Sequence, residues 1–173
     1  MLFERFESPN ELLEYKLGSA LTMERDVLKM LDKLEAAARS EQLKQQLRHH
    51  ADETRQQLAN VEGAFSALGM EADDKPCPVI EAIDKEGRAQ IKRADDALVD
   101  DVILAGAAAT EHHEIAVYEW LIAHVEAMEK PDVVALLQQN LEQEQRMLEE
   151  VRRAVRATAS PAAQFTVTSK RAR

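Results

Sequence analysis

Apolar residues recur every three or four positions along most of this chain, a spacing that places them on one face of an α-helix. The first such stretch begins at Pro9, which suits the first turn of a helix, directly after Ser8, which can cap it. It continues to a break near Ser40. The second stretch covers residues 41–68, and Gly69 favours its end. These two stretches predict a helical hairpin.

A connection rich in proline and aspartate follows and leads into a short helix, predicted from Pro78 to about residue 93. Two more long helices are predicted over about 96–128 and 131–157. Two hairpins joined by a long crossover match the connectivity of ferritin-like bundles rather than a simple up-down-up-down bundle. We therefore predict an all-α, ferritin-like four-helix bundle with a short helix in the crossover, as one domain over residues 1–157 followed by a flexible tail over 158–173.

The composition agrees with this prediction and excludes several classes of partner. Of the 173 residues, 45% are hydrophobic but only 4% aromatic, with 5 Gly and 5 Pro, which favours helices over strands. The net charge of −10 argues against binding to nucleic acid or to anionic lipid. The single cysteine, Cys77, cannot form an internal disulfide, and neither a secretory signal nor an apolar run of about 20 residues is found. We therefore expect a cytoplasmic protein without a membrane partner.

Each long helix carries polar side chains where its apolar face should be uninterrupted. In the first, third and fourth long helices, one glutamate lies near the centre of that face and near the middle of the helix. The second helix has a histidine near the centre and a glutamate one turn later at the edge, and the third adds a second glutamate one turn after its first. An antiparallel bundle brings these positions to one level. The candidate metal ligands are therefore Glu24, His50, Glu53, Glu111, Glu114 and Glu144.

The chemistry of these side chains predicts bound cations. An ionised carboxylate in an apolar core is costly unless it is paired, and no lysine or arginine is predicted to face inward at this level. Any one glutamate is more simply explained as a solvated surface residue, but central placement in several helices at once favours a shared site. Carboxylates with one histidine nitrogen match iron or manganese, and a single cysteine rules out a cysteine-rich zinc site. We predict two ions, either Fe or Mn, bridged by carboxylates.

Several short strings along the chain form a pattern known from one protein family. They are Met23-Glu24-Arg25, His50-Ala51-Asp52-Glu53-Thr54, Leu68-Gly69, Lys75 with Cys77, Glu111-His112-His113-Glu114-Ile115-Ala116-Val117-Tyr118, and Leu141-Glu142-Gln143-Glu144. On these residues the chain resembles the YciE/YciF group of bacterial ferritin-like stress proteins, over roughly residues 8–155. The resemblance implies a ferritin-like bundle related to rubrerythrin, often dimeric, with a metal-dependent activity connected to stress responses.

The chain departs from the usual ferritin-like ligand pattern at two positions. Ferritin-like sites generally pair a glutamate with a histidine three residues later, whereas Glu53 is followed by Gln56 and Glu144 by Met147. This leaves two hypotheses. The first is an oxidative-stress protein whose dinuclear site reacts with peroxide or oxygen, as a peroxidase, ferroxidase or manganese catalase does. The second is a non-enzymatic helical scaffold or dimer that binds metal weakly or not at all, and the missing histidines favour it.

A second apolar edge predicts contacts outside the bundle core. It lies on the first and third long helices and includes Leu12, Met23, Met30, Val117 and Trp120. The short crossover helix can cover part of this edge, and a second subunit can cover the rest. We therefore expect a homodimer.

Overall fold

The computed structural model describes residues 5–159, and its regular elements are helices. The bounds are α1 Pro9–Ala37, α2 Glu41–Leu68, α3 Pro78–Ile91, α4 Val99–Glu126 and α5 Pro131–Thr158, with one 3₁₀ turn at Asp96–Leu98. Four long helices and a short crossover helix confirm the prediction of an all-α chain, and the predicted boundaries lie within a few residues of the observed ones. The predicted tail falls outside the described residues from residue 160 onward.

Local sequence signals start and stop these helices. Ser8 accepts a hydrogen bond from the backbone N–H of Glu11, and Ser40 accepts one from Leu43. These caps satisfy backbone donors that the first turn of a helix leaves without a partner. Prolines occupy the first turn of α1, α3 and α5. Gly69 ends α2 in the left-handed conformation, at φ 72°, which glycine adopts readily because it has no Cβ atom.

The four long helices pack as two hairpins. Helix α1 lies against α2 and α4 lies against α5, while across the bundle α1 contacts α4 and α2 contacts α5. Large apolar side chains fill the interior, and the following are at most 1% exposed: Leu17, Leu21, Phe65, Leu121 and Leu137. Burial of each such side chain contributes about 1.5–3 kcal/mol. Core packing, rather than helix propensity, therefore supplies most of the stability of the long helices.

Hydrogen bonds between the two hairpins fix their relative height along the bundle. The Asp100 carboxylate, in the first turn of α4, accepts from the backbone N–H groups of Arg39 and Ser40 at 2.7 and 2.9 Å. The guanidinium of Arg39 also pairs with Asp96 at 2.6 Å. Because Arg39 and Ser40 form the turn between α1 and α2, these bonds tie that turn to the start of α4. They contribute to the height of the first hairpin relative to α4.

The connection between α2 and α3 crosses α1 at a glycine. The backbone N–H of Lys75 donates to the carbonyl of Gly18 at 3.1 Å, and the Ser19 hydroxyl donates to the Pro76 carbonyl at 3.0 Å. A Cβ atom at position 18 would overlap the carbonyl oxygen of Asp73 and the side chain of Lys75. The crossover therefore lies this close to α1 because residue 18 has no side chain. Helix α3 then packs on α4 and α1.

The second apolar edge is partly covered within the chain. Met23 and Met30 are buried, and Val117 and Trp120 are partly buried against the core. Helix α3 packs on α1 and α4, the two helices that carry this edge, and its own Ile80 is fully buried. The expected homodimer, which would cover the remainder, stays a prediction. In the described part of the chain, no helix combines the length and the apolar character that crossing a bilayer requires.

Replacing Gly18 with alanine should destabilise the fold although alanine is the better helix former. Helix propensity favours alanine by up to about 1 kcal/mol, but overlap with the Asp73 carbonyl should cost about 1–3 kcal/mol or displace the crossover. Urea denaturation against Gly87→Ala measures the effect, because a Cβ atom at Gly87 meets nothing within 4 Å. We expect a lower midpoint for Gly18→Ala alone. Equal midpoints would show that the crossover does not contact α1 in this way.

Candidate metal centre

Four acidic side chains and one histidine meet in the middle of the bundle. They are Glu24 from α1, His50 from α2, Glu111 and Glu114 from α4, and Glu144 from α5, and none of them is more than 4% exposed. Glu111 and Glu114 are one turn apart on α4, so their side chains point to the same side of that helix. The fold thus brings five of the six predicted site residues together inside the core.

Four of these side chains are close enough to share an ion. His50, Glu111, Glu114 and Glu144 each place a donor atom within 4.8 Å of the others. The Nε2 atom of His50 lies 3.2 Å from a carboxylate oxygen of Glu111. Two ligand atoms on opposite sides of one ion lie about 4 Å apart, since each bond is about 2.0–2.2 Å. Small side-chain movements would therefore bring all four within bonding distance, and this buried group could hold a metal ion.

Hydrogen bonds from uncharged side chains hold two of the acids in place. The Tyr118 hydroxyl donates to one carboxylate oxygen of Glu24, and the Asn140 side chain donates to the Tyr118 oxygen at 2.9 Å. The side-chain amide of Gln57 donates to Glu144. Asn140 also donates to the backbone carbonyl of Gln57 at 3.1 Å. A connected polar layer therefore orients Glu24 and Glu144 from one side of the cluster.

Glu53 lies at the edge of the buried cluster and outside the group of four donors, although, in addition to burial, its charge is near enough to raise the pKa of Glu111. Its carboxylate is 3.3 Å from the guanidinium of Arg146 and 3.9 Å from the imidazole of His49. Its side chain is 17% exposed, compared with 2% for Glu111. The position of Glu53 at the edge of the apolar face of α2 explains this difference, because an edge residue can reach partners at the surface. Glu53 is therefore part of a surface ion-pair group in this structure.

Burial raises the pKa of every carboxyl group in the cluster. Loss of hydration is the largest cause for Glu24 and Glu111, whose pKa values rise from an ordinary 4.5 to about 8. Burial followed by repulsion from a neighbouring carboxylate raises the pKa values of Glu114 and Glu144 well above the ordinary range. These groups are therefore stable in the core as neutral acids, or as anions next to a cation.

Many polar atoms of the cluster make no hydrogen bond within the described residues. They are one oxygen each of Glu24, Glu111 and Glu144, both oxygens of Glu114, and both ring nitrogens of His50. His50 is within ion-pair distance of Glu111, but the geometry is not that of a hydrogen bond. Among residues 5–159 there is no buried lysine or arginine to pair with these atoms. Oxygen and nitrogen donors without partners in an apolar core fit a divalent metal cation.

Comparison with known families identifies the chain. A family model described as "Domain of unknown function (DUF892)" matches residues 8–164. The chain belongs to this family. No curated protein matches it.

Solved structures similar to this DUF892 chain share its fold. YcfI of Rhodopseudomonas palustris is 31% identical, with a TM-score of 0.83 over 87% of this chain and 98% of that chain. The E. coli stress protein YciF is 21% identical, with a TM-score of 0.84 over 88% and 98%. A protein from Xanthomonas campestris pv. campestris is 22% identical, with a TM-score of 0.69 over 87% and 92%. The ferritin-like fold and the resemblance to the YciE/YciF group are thus confirmed.

Two amides at the centre of the DUF892 bundle were not among the predicted site residues. Asn60 and Asn140 are buried, and the Asn60 side chain donates to that of Asn140 at 2.7 Å. Asn140 lies one helical turn before Glu144, so both face the core from α5. A search of the apolar faces for uncharged polar residues, as well as for acids, would have found this pair.

Cys77 and the histidines other than His50 are outside the group of four donors. His49 and His112 are exposed. His113 is partly buried, with its Nε2 atom 3.7 Å from the Sγ atom of Cys77. Burial, followed by the positive charge of Lys16, lowers the pKa of His113.

The stability of the metal-free protein should fall as the pH rises through neutrality. Glu24 and Glu111 have pKa values of about 8 in the folded chain and an ordinary value of 4.5 when unfolded. Their stabilising contribution is therefore complete below pH 4.5 and is lost between pH 4.5 and about 8. The expected slope is about 1.4 kcal/mol per pH unit for each net proton. Thermal melts of chelator-treated protein across this window measure it.

A double variant provides the control for this pH dependence. Glu24→Gln with Glu111→Gln removes two titrating groups and keeps their size, so its melting temperature should change less with pH. The surface variant Glu62→Gln should behave like the parent, because Glu62 is 49% exposed. A parent protein that becomes more stable across the window would contradict the burial of these acids.

Removing the Tyr118 hydroxyl should destabilise the fold. Tyr118→Phe keeps the ring in the core but removes the hydrogen bond that Tyr118 donates to Glu24 and the one that it accepts from Asn140. The loss should cost about 1–3 kcal/mol of stability. Tyr15→Phe is the matched control, since Tyr15 packs its ring against Phe6 near the surface and should tolerate the change. Chemical denaturation of the two variants compares them. If both have the parent's midpoint, the Tyr118 hydrogen bonds do not stabilise the core.

Proposed function

We propose that this DUF892 protein is a stress-response protein that binds two Fe or Mn ions in the core of its bundle and acts on peroxide, oxygen or iron. We base this on the buried group of His50, Glu111, Glu114 and Glu144, whose donor atoms lie within 4.8 Å of one another. Metals of this kind in a protected core can exchange electrons with small oxidants.

Charge balance supports two ions rather than one. The four buried glutamates would carry four negative charges when ionised, and two divalent cations would neutralise them. Their carboxylate oxygens, together with the ring nitrogen of His50, are numerous enough to ligate two ions when carboxylates bridge. Glu24 would complete the ligand set from α1. Glu53 pairs with Arg146 and is not in the group of four donors, so we assign it the weakest role.

The residues around the site would orient its ligands and keep bulk water away from the bound metals. When bound, two ferrous ions would supply two electrons, which together with two protons reduce dioxygen to hydrogen peroxide, or hydrogen peroxide to two waters. Tyr118 and Gln57 orient Glu24 and Glu144 through their hydrogen bonds. The apolar core excludes bulk water, which strengthens every electrostatic interaction inside it. A protected site of this kind suits reactions with small oxidants.

The stress assignment comes from a relative. The E. coli protein YciF, which shares this fold at 21% identity, is named a stress protein. Identity at that level shows a shared fold. That this chain also acts in a stress response is our proposal. The buried acidic cluster gives the extension a physical basis, since removal of peroxide or of free ferrous iron limits oxidative damage.

A structural role is the second candidate function. YcfI, which is 31% identical, is described as a candidate structural protein. Where ferritin-like sites have histidine, this chain has Gln56 and Met147. His50 is therefore the one nitrogen donor in the group of four, which favours weak metal binding. On this alternative, the buried acids stay protonated and the bundle acts as a scaffold, for which the predicted homodimer would be the functional unit.

Metal analysis decides between the two functions. Chelator-treated protein reloaded anaerobically with Fe(II) or Mn(II) should retain about two ions per chain. Glu111→Gln with Glu144→Gln should lose them, because an amide is a weaker and uncharged ligand. Glu53→Gln should keep most of the metal, because Glu53 is not in the group of four donors, and the surface variant Glu62→Gln should keep all of it.

The melting temperature gives an independent reading of the same question. A ligand that binds only the folded state raises it, so Mn(II) should stabilise the parent and not the Glu111→Gln, Glu144→Gln variant. A parent protein that retains no metal and does not respond to Fe(II) or Mn(II) would contradict the metal-dependent function and support the scaffold.

A further inference from the structure

A small apolar cavity leads from the acidic cluster toward one end of the bundle. Its volume is about 30 Å³, which is room for about two water-sized molecules. His50 and Glu111 line it on the side of the cluster, and Leu34 and Leu43 line it near the turn between α1 and α2. Gln46, which also lines the cavity, is partly exposed. The cavity therefore extends from the site toward the surface.

The wall of this cavity offers few hydrogen-bonding groups. Eleven of its sixteen lining residues are apolar. Among the polar ones, the Thr110 hydroxyl already donates to the Gly106 carbonyl at 3.1 Å, and Glu150 lies 3.8 Å from Arg153. Polar groups that lack partners occur where the cavity meets His50 and Glu111. A molecule in the middle of the cavity would therefore meet mainly methyl and methylene groups.

The size and polarity of the cavity distinguish between small oxidants. Hydrogen peroxide donates and accepts hydrogen bonds, and it would lose them in an apolar passage. Dioxygen is apolar, is small enough for the volume and loses no hydrogen bonds. We propose that this cavity admits dioxygen to the acidic cluster and disfavours hydrogen peroxide. The claim that dioxygen is the oxidant of the bound metal rests on the proposed function. The claim that dioxygen enters the cavity does not.

Dissolved dioxygen is paramagnetic and speeds the relaxation of nearby methyl groups, so it can be located by NMR in the metal-free protein under oxygen pressure. Methyl groups of Leu47 and Val151, which line the cavity, should show severalfold larger enhancements than those of Leu121 and Leu137. The second pair is fully buried but does not line the cavity. Equal enhancements in the two pairs would overturn the proposal.

Filling the cavity tests whether it is the route to the site. Ala107→Leu adds an isopropyl group to a residue that lines the cavity, and Ala105→Leu adds it to an exposed residue of the same helix. In Fe(II)-loaded protein, Ala107→Leu should slow oxidation by dioxygen about tenfold and leave oxidation by hydrogen peroxide unchanged. Ala105→Leu should slow neither reaction. Equal slowing by Ala107→Leu of both oxidants, or of neither, would overturn the proposal.

The two experiments separate the failure of this proposal from the failure of the proposed function. If the protein binds neither Fe(II) nor Mn(II), the proposed function fails, and the relaxation measurement on metal-free protein still decides whether dioxygen enters the cavity. If metal binds but the two pairs of methyl groups relax alike, only the cavity proposal fails.

Discussion

Carboxyl groups buried inside an apolar bundle are the constraint on which the rest of this structure depends. Glu24, Glu111, Glu114 and Glu144 are each at most 1% exposed, and burial raises their pKa values, to about 8 for the first two. Such a core accepts these groups as neutral acids or as ligands of cations, but not as free anions. At neutral pH these acids are ionised in the unfolded chain and must take up protons as it folds, which opposes folding; a bound divalent cation would remove that requirement.

The architecture brings the acids together and holds them there. Hydrogen bonds from the α1–α2 turn to Asp100 fix the height of one hairpin against the other. At the centre, Tyr118 and Asn140 connect α4 and α5 to Glu24 of α1. At the crossover, Gly18 allows the chain to pass close over α1 and to enter α3. Side chains from all four long helices are therefore held at one level, with no buried lysine or arginine among the described residues to pair with them.

The helices and the central acids could be predicted from the sequence because their signals are local. Gly69 ends a helix through its own backbone freedom, and the inward position of Glu24 follows from its place on an apolar face. The ion pair of Glu53 with Arg146 was not predicted, because an edge residue can turn either way and its partner comes from α5. The bonds of Asn140 to Tyr118 depend on the relative height of α4 and α5, which tertiary contacts determine. Contacts between helices were therefore the part that periodicity could not supply.

Proton release on metal binding tests the central claim most directly. If the buried acids hold protons in the metal-free protein, a divalent cation must displace them as it binds. Calorimetric titration of chelator-treated protein with Mn(II) near neutral pH, repeated in buffers of different ionisation enthalpy, counts those protons. We expect roughly two or more protons released per chain on saturation. Saturable Mn(II) binding without proton release would show that the acids are already ionised in the metal-free core, which contradicts the claim that burial keeps them protonated.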